Sequence, residues 1–544
     1  MKKSLLALSA AALVGGFATS AHAIVIKDHT AAAATADKLA TVEQGGVGHI
    51  LFTPYYSTVN GNTTLISLVN TDLVNGKAVK VRFRGAANSD DVLDFTVLMS
   101  PGDVWTASIE PSASGVAKII SPDSTCVLPR QIGTEGVDFR TFRLDQKLSA
   151  EAQAYHTREG YVEFLNMADI VPGTTVFKAV KHVNNKAPCT PEVMDMLMSL
   201  DEVSHADAAD AKYGLSYPTG QLFGNWSIFN NQSITSYGGG HASVRAVTNA
   251  GANAAARLFF APQMGGDASA DAAANTADPL LVGGFAGATQ PWGGATVAFD
   301  TAFAKTVNPL WLDLPDLSTP YTKEDTSPQV RANKLSEAIA ATAAMNEFVA
   351  TDDAASVPFS TDWVFSQPTR RYQVAMAYSA STSTEKNMPV NAVASANIAT
   401  QHYFAGTGGN LSVRSRLAAN GVALGDILCA AATLAGTNRE ELTVRTEGDF
   451  SPVPTVGASR ICGEVATLTF NRADSKVLHA NLTNERVNIK DGSGAYVEAG
   501  WATLGLKGAG AGLGLPVVGY AATAFTNGNT GGNYGDAITH RFQR

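Results

Sequence analysis

Charge is scarce in this sequence. Asp, Glu, Lys and Arg make up 16% of the 544 residues, whereas about 25% is usual in a soluble domain. The formal net charge is −9, and the Lys and Arg residues form no basic stripe of the kind that nucleic-acid-binding proteins carry. We therefore expect no nucleic-acid partner.

Long apolar runs are equally scarce. The most apolar run, residues 5–17, is shorter than the roughly 20 residues that a transmembrane helix needs. It follows Lys2 and Lys3 and precedes the small residues Ala21 and Ala23, which is the pattern of a secretory signal peptide. We predict a cleaved signal peptide over residues 1–23 and no transmembrane span. Export through the inner membrane would bring the chain to the cell surface or the medium, with the periplasm as an alternative.

The chain has only four cysteines, namely Cys126, Cys189, Cys429 and Cys462. In an exported protein such cysteines are expected to form disulfides. Four cysteines allow three pairings, and the simplest joins 126 to 189 and 429 to 462, because each bridge then closes a local loop. The alternative is a zinc site, but zinc ligands are usually spaced more tightly and include nearby histidines.

The usual catalytic motifs are missing. The sequence has no His-Glu-x-x-His, no Gly-x-Ser-x-Gly, no phosphate-binding P-loop and no EF-hand. Residues 383–386 match Ser-x-x-Lys, but they lie in polar, Ser/Thr-rich sequence and predict a loop. The ten histidines are scattered without metal-ligand spacing. We predict no catalytic, cofactor-binding or metal-binding residue and a chain that is not an enzyme. A concave pocket with paired carboxylates, or a contact between a serine and a histidine, would instead favour a secreted hydrolase.

Strand patterns dominate what is present. Residues 64–70 predict a strand buried on both faces, and residues 92–99 predict another, ended by Ser100-Pro101-Gly102. Between them, residues 78–84 alternate, with apolar Val79, Val81 and Phe83 on one face and Lys80, Arg82 and Arg84 on the other. Residues 85–91 predict a polar turn. Such a meander is typical of antiparallel β-sandwiches.

We therefore predict a mainly β fold made of antiparallel β-sandwich domains, one long helix and long Gly/Ala-rich loops. The helix is expected near residues 329–350, where apolar side chains recur at helical spacing. A Gly/Ala-rich excursion covers residues 265–301. We divide the mature chain into a β-rich N-terminal domain, residues 24–300, and a β-rich C-terminal domain, residues 301–544.

Two clusters of carboxylates are candidates for Ca²⁺, which favours oxygen ligands. They are Asp90, Asp91 and Asp94, and Asp267, Asp271 and Asp278. The alternative is a solvated acidic loop, and Arg82 and Arg84 are placed to pair with the first cluster across an exposed hairpin, where such pairs contribute little. The six tryptophans are expected to anchor the core rather than to form a carbohydrate platform.

Several blocks, in order along the chain, resemble a family of exported proteobacterial proteins described as cell-surface or surface-layer-like. The blocks are residues 51–56 (LFTPYY), 79–83 (VKVRF), 100–105 (SPGDVW), 361–364 (TDWV), 462–465 (CGEV), 514–519 (GLPVVG) and 540–541 (HR). The resemblance implies a location and a β-rich architecture, and it carries over no catalytic residue. We expect an exported structural protein of the cell surface, with a second copy of itself as a partner in a surface layer. The alternative is an adhesin or carbohydrate-binding protein that contacts the outer membrane or surface glycans.

Overall fold

The protein is mainly β, with several antiparallel sheets and a few short helices, as predicted. The structure is a computed structural model. It describes residues 25–27, 35–42, 45–141, 143–198, 202–203, 210–261, 316–317, 321–323, 328–351, 357–376, 378, 387–389, 403–405, 409–418, 420–440, 443–446, 457–527 and 532–544. The predicted signal peptide, the Gly/Ala-rich excursion and the predicted domain boundary at residue 300 lie outside these ranges.

The elements before the domain boundary are, in chain order, β1 (Val25–Lys27), β2 (Lys38–Val42), β3 (Ile50–Ser57), β4 (Asn62–Asn70), β5 (Gly76–Gly85), β6 (Asp91–Met99), β7 (Val104–Pro111), β8 (Ala117–Ser121), β9 (Cys126–Leu128), β10 (Gly133–Asp138), α1 (Ala150–Arg158), β11 (Glu159–Ile170), α2 (Thr175–Val180), α3 (Pro191–Met198), β12 (Glu202–Val203), β13 (Leu215–Ser216), β14 (Leu222–Phe223), β15 (Asn225–Asn230), β16 (Thr235–Gly240), β17 (Ala242–Val247) and β18 (Phe259–Phe260).

The elements after it are α4 (Pro328–Ile339), β19 (Ala340–Ala341), β20 (Ala343–Val349), β21 (Phe359–Ser366), a 3-10 turn (Arg370–Tyr372), β22 (Val374–Met376), β23 (Asn387–Pro389), β24 (Leu411–Leu417), β25 (Ala423–Asn438), β26 (Thr443–Thr446), β27 (Gly457–Cys462), β28 (Val465–Phe470), β29 (Asn484–Val487), β30 (Ile489–Lys490), β31 (Ala499–Leu506), β32 (Leu515–Pro516), β33 (Val518–Asn527), β34 (Gly532–Thr539) and β35 (Arg541–Gln543).

Two large antiparallel sheets come from the first half. Sheet 1 has the order β2-β17-β3-β11-β5-β6-β9, with β13 beside β11, and sheet 2 has the order β10-β8-β7-β4-β15-β16, with β14 beside β4. Their inward side chains, among them Tyr56, Phe83 and Trp105, form one cluster that we call the main core. Strand β4 differs from the prediction because only one of its faces is buried. Its other face leaves Leu65 40% exposed.

The second half forms two more large sheets. Sheet 3 has the order β29-β28-β21-β33-β34, and sheet 4 has the order β30-β26-β25-β31-β20-β35, with β24 and β27 beside β25. Sheet 3 lies between two cores, because Val364 and Tyr520 join the main core while Trp363 and Phe365 join a second core shared with sheet 4. The main core therefore contains side chains from both halves of the sequence.

The predicted long helix is wrong beyond residue 339. Helix α4 ends at Ile339, and residues 343–349 form strand β20, which pairs with β31. The apolar residues of this segment fit a strand as well as a helix, so periodicity alone does not separate the two. Pairing with β31 places Phe348 against Phe470, with their rings 4.8 Å apart. This packing favours the strand.

The described helices are short, and none of them is long and apolar enough to cross a membrane. The cysteines are joined in the two local pairs, Cys126 to Cys189 and Cys429 to Cys462. The first bridge ties β9 to the segment before α3, and the second links the paired strands β25 and β27. Disulfides persist in oxidising compartments, which fits an extracytoplasmic location.

Candidate functional site

The turn over residues 85–91 is buried rather than exposed, and it contacts the second half of the chain. The carbonyl oxygen of Ala86 accepts hydrogen bonds from the backbone N–H groups of Glu464, at 2.7 Å, and Val465, at 3.1 Å. Arg371 donates from Nη1 to the carbonyl oxygen of Ser89 at 2.7 Å. We call the contact of residues 85–91 with residues 370–371 and 463–465 the junction.

An ion pair without solvent exposure holds the junction together. Arg370 Nε lies 3.1 Å from Glu464 Oε1, and both side chains are almost fully buried. The same guanidinium donates to the carbonyl oxygens of Leu428, at 2.8 Å, and Gly463, at 3.1 Å. Burial raises the pKa of Glu464, although Arg370 and Arg371 oppose that shift. The guanidinium is satisfied on several sides, which is what a buried charge needs, whereas Glu464 Oε2 has no hydrogen-bond partner among the described residues.

The charged face of β5 is also buried. Lys80 Nζ lies 2.7 Å from Asp94, Arg82 pairs with Asp91, and Arg84 Nε lies 3.5 Å from Glu163 on the neighbouring strand β11. Of the predicted pairs of Arg82 and Arg84 with Asp90 and Asp91, those with Asp91 form, but in the interior instead of in solvent. Burial raises the pKa of Asp91, yet Arg82 and Arg84 hold it well below its usual range.

These contacts change the interpretation of the acidic residues. Asp91 and Asp94 pair with cationic side chains of the protein, so the first Ca²⁺ candidate is a set of internal ion pairs. Asp90 differs, because its Oδ2 accepts a hydrogen bond from the Tyr378 hydroxyl at 2.6 Å and burial raises its pKa to about 7. The second cluster, Asp267, Asp271 and Asp278, lies outside the described residues.

Two more buried carboxylates hold residues 475–483. Glu159 accepts hydrogen bonds from the Leu482 N–H at 2.6 Å and the Tyr55 hydroxyl at 2.7 Å. Asp362 accepts from the Ser475 hydroxyl and from the Leu478 N–H at 3.0 Å. Burial raises the pKa of both carboxyls, and the hydrogen bonds oppose it. Because donors of the protein surround both groups, their role in this arrangement is to fix the segment.

Buried histidines act as links between backbone segments. His49 contacts the carbonyl oxygen of Pro218 at 3.2 Å, His241 that of Ser67 at 2.9 Å, and His540 that of Val364 at 3.1 Å. Burial lowers their pKa values to about 3, 4 and 3, respectively. Neutral rings held in this way are structural. In the described part of the chain, no group of three or more His, Cys, Asp or Glu side chains is arranged to hold a metal ion.

The exposed side of sheet 2 is a different kind of surface, and we call it the outer face. It consists of the outward residues of β7, β4, β15 and β16, which are Thr63, Leu65, Ser67, Val69, Val104, Thr106, Ser108, Glu110, Asn225, Ser227, Phe229, Ser236, Gly238 and Gly240. Among these described positions Glu110 alone is ionisable, and it lies at the end of β7. Leu65 and Phe229 are 40% and 41% exposed at the centre.

Strand β34 of sheet 3 extends the outer face beyond β16. Asn533 donates to the carbonyl oxygen of Ser233. A Cβ at Gly535 would lie 2.4 Å from the Ser236 carbonyl oxygen, so only glycine allows the two edge strands to approach this closely. Next to this contact β34 exposes Tyr534, Asp536 and Ile538, so this extension carries one acidic side chain.

Sheet 4 presents a second exposed face of similar character. Its outward positions on β25 and β31 are Thr433, Ala435, Thr437, Trp501, Thr503 and Gly505. Of the tryptophans, Trp105, Trp226 and Trp363 are buried in the cores as expected, whereas Trp501 is 48% exposed. Trp292 and Trp311, like the Ser-x-x-Lys residues 383–386, lie outside the described residues.

Comparison with known proteins gives no relative. A scan against protein-family models, a search of curated proteins and a search of solved structures found no match. The resemblance to surface-layer-like proteins therefore stays a prediction.

Proposed function

We propose that this chain is an exported structural protein of the cell surface, built from β-sandwich domains, whose copies associate into a surface layer. The observation that carries the proposal is the outer face of sheet 2. In that role the chain acts without catalysis. The two disulfides and the sequence pattern of a signal peptide support the location.

The outer face has the chemistry of a surface that becomes buried. Transfer of a charged side chain out of water is costly unless the charge is paired, and charged residues are depleted at the centres of protein interfaces. Thr, Ser, Val, Leu and Phe side chains carry no such cost. Four strands of this length cover about 500 Å², whereas a standard interface buries about 800 Å² per partner. Tyr534 and Ile538 on β34 extend the face toward that size.

A second exposed face favours assembly over a closed dimer. The outer face belongs to sheet 2, and the Thr-rich face around Thr433 and Thr503 belongs to sheet 4. When two unlike faces bind each other, the same contact repeats from one copy to the next. The result is an open array when the rotation between successive copies does not close a ring. A layer needs such contacts. The partner in this proposal is a second copy of the chain.

Charging the outer face is expected to dissolve the assembly. The double variant Leu65→Lys/Phe229→Lys places two cations at the centre of the face, where burial on association would leave them unpaired. We expect the mature wild-type protein to form ordered arrays in electron microscopy and fast-sedimenting species in ultracentrifugation, and the double variant to sediment as single copies.

Leu417→Lys is the matched control, because Leu417 is 68% exposed on β24, away from the outer face. This control should assemble like the wild type. Arrays of the double variant, or single copies of the wild type with and without Ca²⁺, would refute the role of this face. Arrays that dissolve when a chelator removes Ca²⁺ would add a metal-dependent contact to the proposal.

Carbohydrate binding is the second candidate, and Trp501 favours it. The indole is half exposed on a strand face between Thr437 and the exposed Glu347, and aromatic rings of this kind stack on apolar faces of sugars. We expect surface polysaccharide to quench tryptophan fluorescence in the wild type and not in Trp501→Ala. Tyr496→Ala, which removes another exposed ring, serves as the control. Quenching that persists in Trp501→Ala would exclude this ring as the platform.

A further inference from the structure

Three residues with no shared motif meet beside the first disulfide. Ser124 Oγ lies 3.2 Å from His182 Nε2. On the other side of the ring, His182 Nδ1 lies 3.6 Å from Asp103 Oδ2 and 2.9 Å from the Ser100 hydroxyl. Serine hydrolases use the same arrangement, in which the serine hydroxyl faces Nε2 of the histidine and a carboxylate faces Nδ1.

Each of the three side chains is held by its own element. Asp103 lies in the turn between β6 and β7, and its Oδ2 accepts from the Ser100 N–H at 3.0 Å and the Thr125 hydroxyl at 3.3 Å. Ser124 lies in the loop between β8 and β9, and His182 follows α2. The disulfide between Cys126 and Cys189 ties these last two segments together. The contact between Ser124 and His182 therefore depends on this disulfide, which forms in the oxidising compartments that exported proteins reach.

The backbone next to His182 is unusual as well. Asn184, Asn185 and Cys189 have φ angles of 52°, 64° and 44°, in the left-handed region that favours glycine. Such conformations cost free energy and concentrate at functional sites. The turn directs the carbonyl oxygen of Asn185 to within 3.4 Å of Ser124 Oγ. These three residues keep unfavourable backbone conformations in the segment that follows His182, whose ring lies beside Ser124.

The site is open to solvent, in contrast to the junction. The His182 side chain is 24% exposed, while Asp103 is 8% exposed beneath it. Ser124 is partly exposed, and Lys181, Val183 and Lys186 around it are exposed. A substrate can therefore reach the serine hydroxyl, and the carboxylate is shielded, as an orienting group requires.

We propose that Ser124 and His182 form a hydrolytic site for carboxylic esters, a function beyond the structural role. Ser124 Oγ attacks the ester carbonyl carbon while His182 Nε2 takes the hydroxyl proton. The tetrahedral intermediate collapses, the bond to the alcohol oxygen breaks, and His182 returns the proton to the alcohol. Water then attacks the acyl-serine, His182 takes a proton from the water, and the acid leaves as Ser124 regains its hydrogen. Asp103 is a positioning residue that acts on the ring as a charge 3.6 Å from Nδ1, while the Ser100 hydroxyl makes the hydrogen bond to Nδ1.

The exposed residues around the site, Lys181, Val183 and Lys186, leave room for a large alcohol, as in an acetyl ester on a surface polymer. The test uses mature protein with both disulfides intact. A fluorophosphonate probe is expected to add one mass label, which peptide mapping places on Ser124, and p-nitrophenyl acetate is expected to be hydrolysed. Ser124→Ala should lose both reactions, and His182→Gln should lower kcat/KM by about 10²–10⁴-fold, as loss of a general base does.

The controls separate chemistry from folding. Ser493→Ala removes an exposed serine hydroxyl in the second half and should keep full activity. Asp103→Asn should lower kcat and leave KM unchanged, because it disturbs the ring and not the substrate contact. Near-ultraviolet circular dichroism should be the same for every variant. Labelling elsewhere than Ser124, or hydrolysis that survives in a folded Ser124→Ala protein, would overturn the proposal.

Discussion

Replacing Arg370 with Met is expected to lower the free energy of unfolding by about 3–5 kcal/mol, the usual cost of removing one partner from a buried ion pair. Arg370 is completely buried, and its removal leaves the Glu464 carboxylate in the interior without its cation. It also leaves the carbonyl oxygens of Leu428 and Gly463 without this donor. Both carbonyls keep another donor, the Gly463 N–H for Leu428 and Gln367 Nε2 for Gly463, so the unpaired carboxylate dominates the loss. We expect urea unfolding of the oxidised protein to show a lower midpoint.

Arg414→Met is the matched control. Arg414 also pairs with a glutamate, Glu485 at 2.7 Å, but its side chain is 42% exposed. An exposed pair contributes about 0–1 kcal/mol, so this variant should unfold close to the wild type. The double variant Arg370→Met/Glu464→Gln should recover part of the loss, because no charge then remains unpaired. Equal midpoints for Arg370→Met and Arg414→Met would show that the junction does not depend on the buried pair.

Local strand patterns were predictable from the sequence, and the burial of polar faces was not. The alternation in β5 placed Val79, Val81 and Phe83 on the main-core side, where the structure has them. The same alternation suggested a solvated face for Arg84. That face is buried because Glu163 lies opposite on β11, and this partner is far away in sequence. An isolated strand does not reveal which element covers its polar side.

The end of helix α4 is a second example. Leu335 and Ile339 fit the helical stripe and pack into a core beside sheet 1. Beyond Ile339 the spacing of Met345, Phe348 and Val349 also fits a helix, but β31 supplies a strand partner. Tertiary pairing overrides a weak local preference here.

The candidate sites depend on contacts that no short motif records. Asp103, Ser124 and His182 are far apart along the chain, and a disulfide whose pairing the sequence left open brings two of their segments together. The outer face is partly visible in the sequence, since Leu65 alternates with buried Ile66. The sequence does not reveal that none of the described elements forms a second layer over this side of sheet 2.

Asp90 gives the second large effect, a dependence of stability on pH at the junction. Its side chain is 2% exposed, and burial raises its pKa from 3.8 to about 7. The Tyr378 hydroxyl, Arg371 and Arg84 lower the pKa, and Asp145 raises it. Among the described residues, the hydroxyl alone makes a hydrogen bond with the carboxyl, through Oδ2, and Oδ1 has no partner. The charged form is therefore poorly compensated.

The direction in which stability changes with pH follows from the raised pKa of Asp90. The folded state binds the Asp90 proton more tightly than the unfolded state, so the contribution to stability is complete below about pH 4 and is lost as the pH rises to about 7. A shift from 3.8 to about 7 corresponds to about 4 kcal/mol. Asp90→Asn, which is neutral throughout, should match the wild type at pH 4 and be more stable than it at pH 8. Urea unfolding across this range measures the difference.

Exposed Asp536→Asn on β34 controls for the loss of one negative charge, and its unfolding curve should follow the wild type at each pH. Other buried carboxyls change the absolute curves, among them Glu464, whose pKa burial raises, and Asp91, whose pKa Arg82 and Arg84 lower. The difference between wild type and Asp90→Asn isolates one group, because these carboxyls are common to both proteins. Parallel curves for the two proteins would mean that Asp90 stays charged in the folded state. In that case Arg371 and Arg84, and not a bound proton, would stabilise the buried carboxyl.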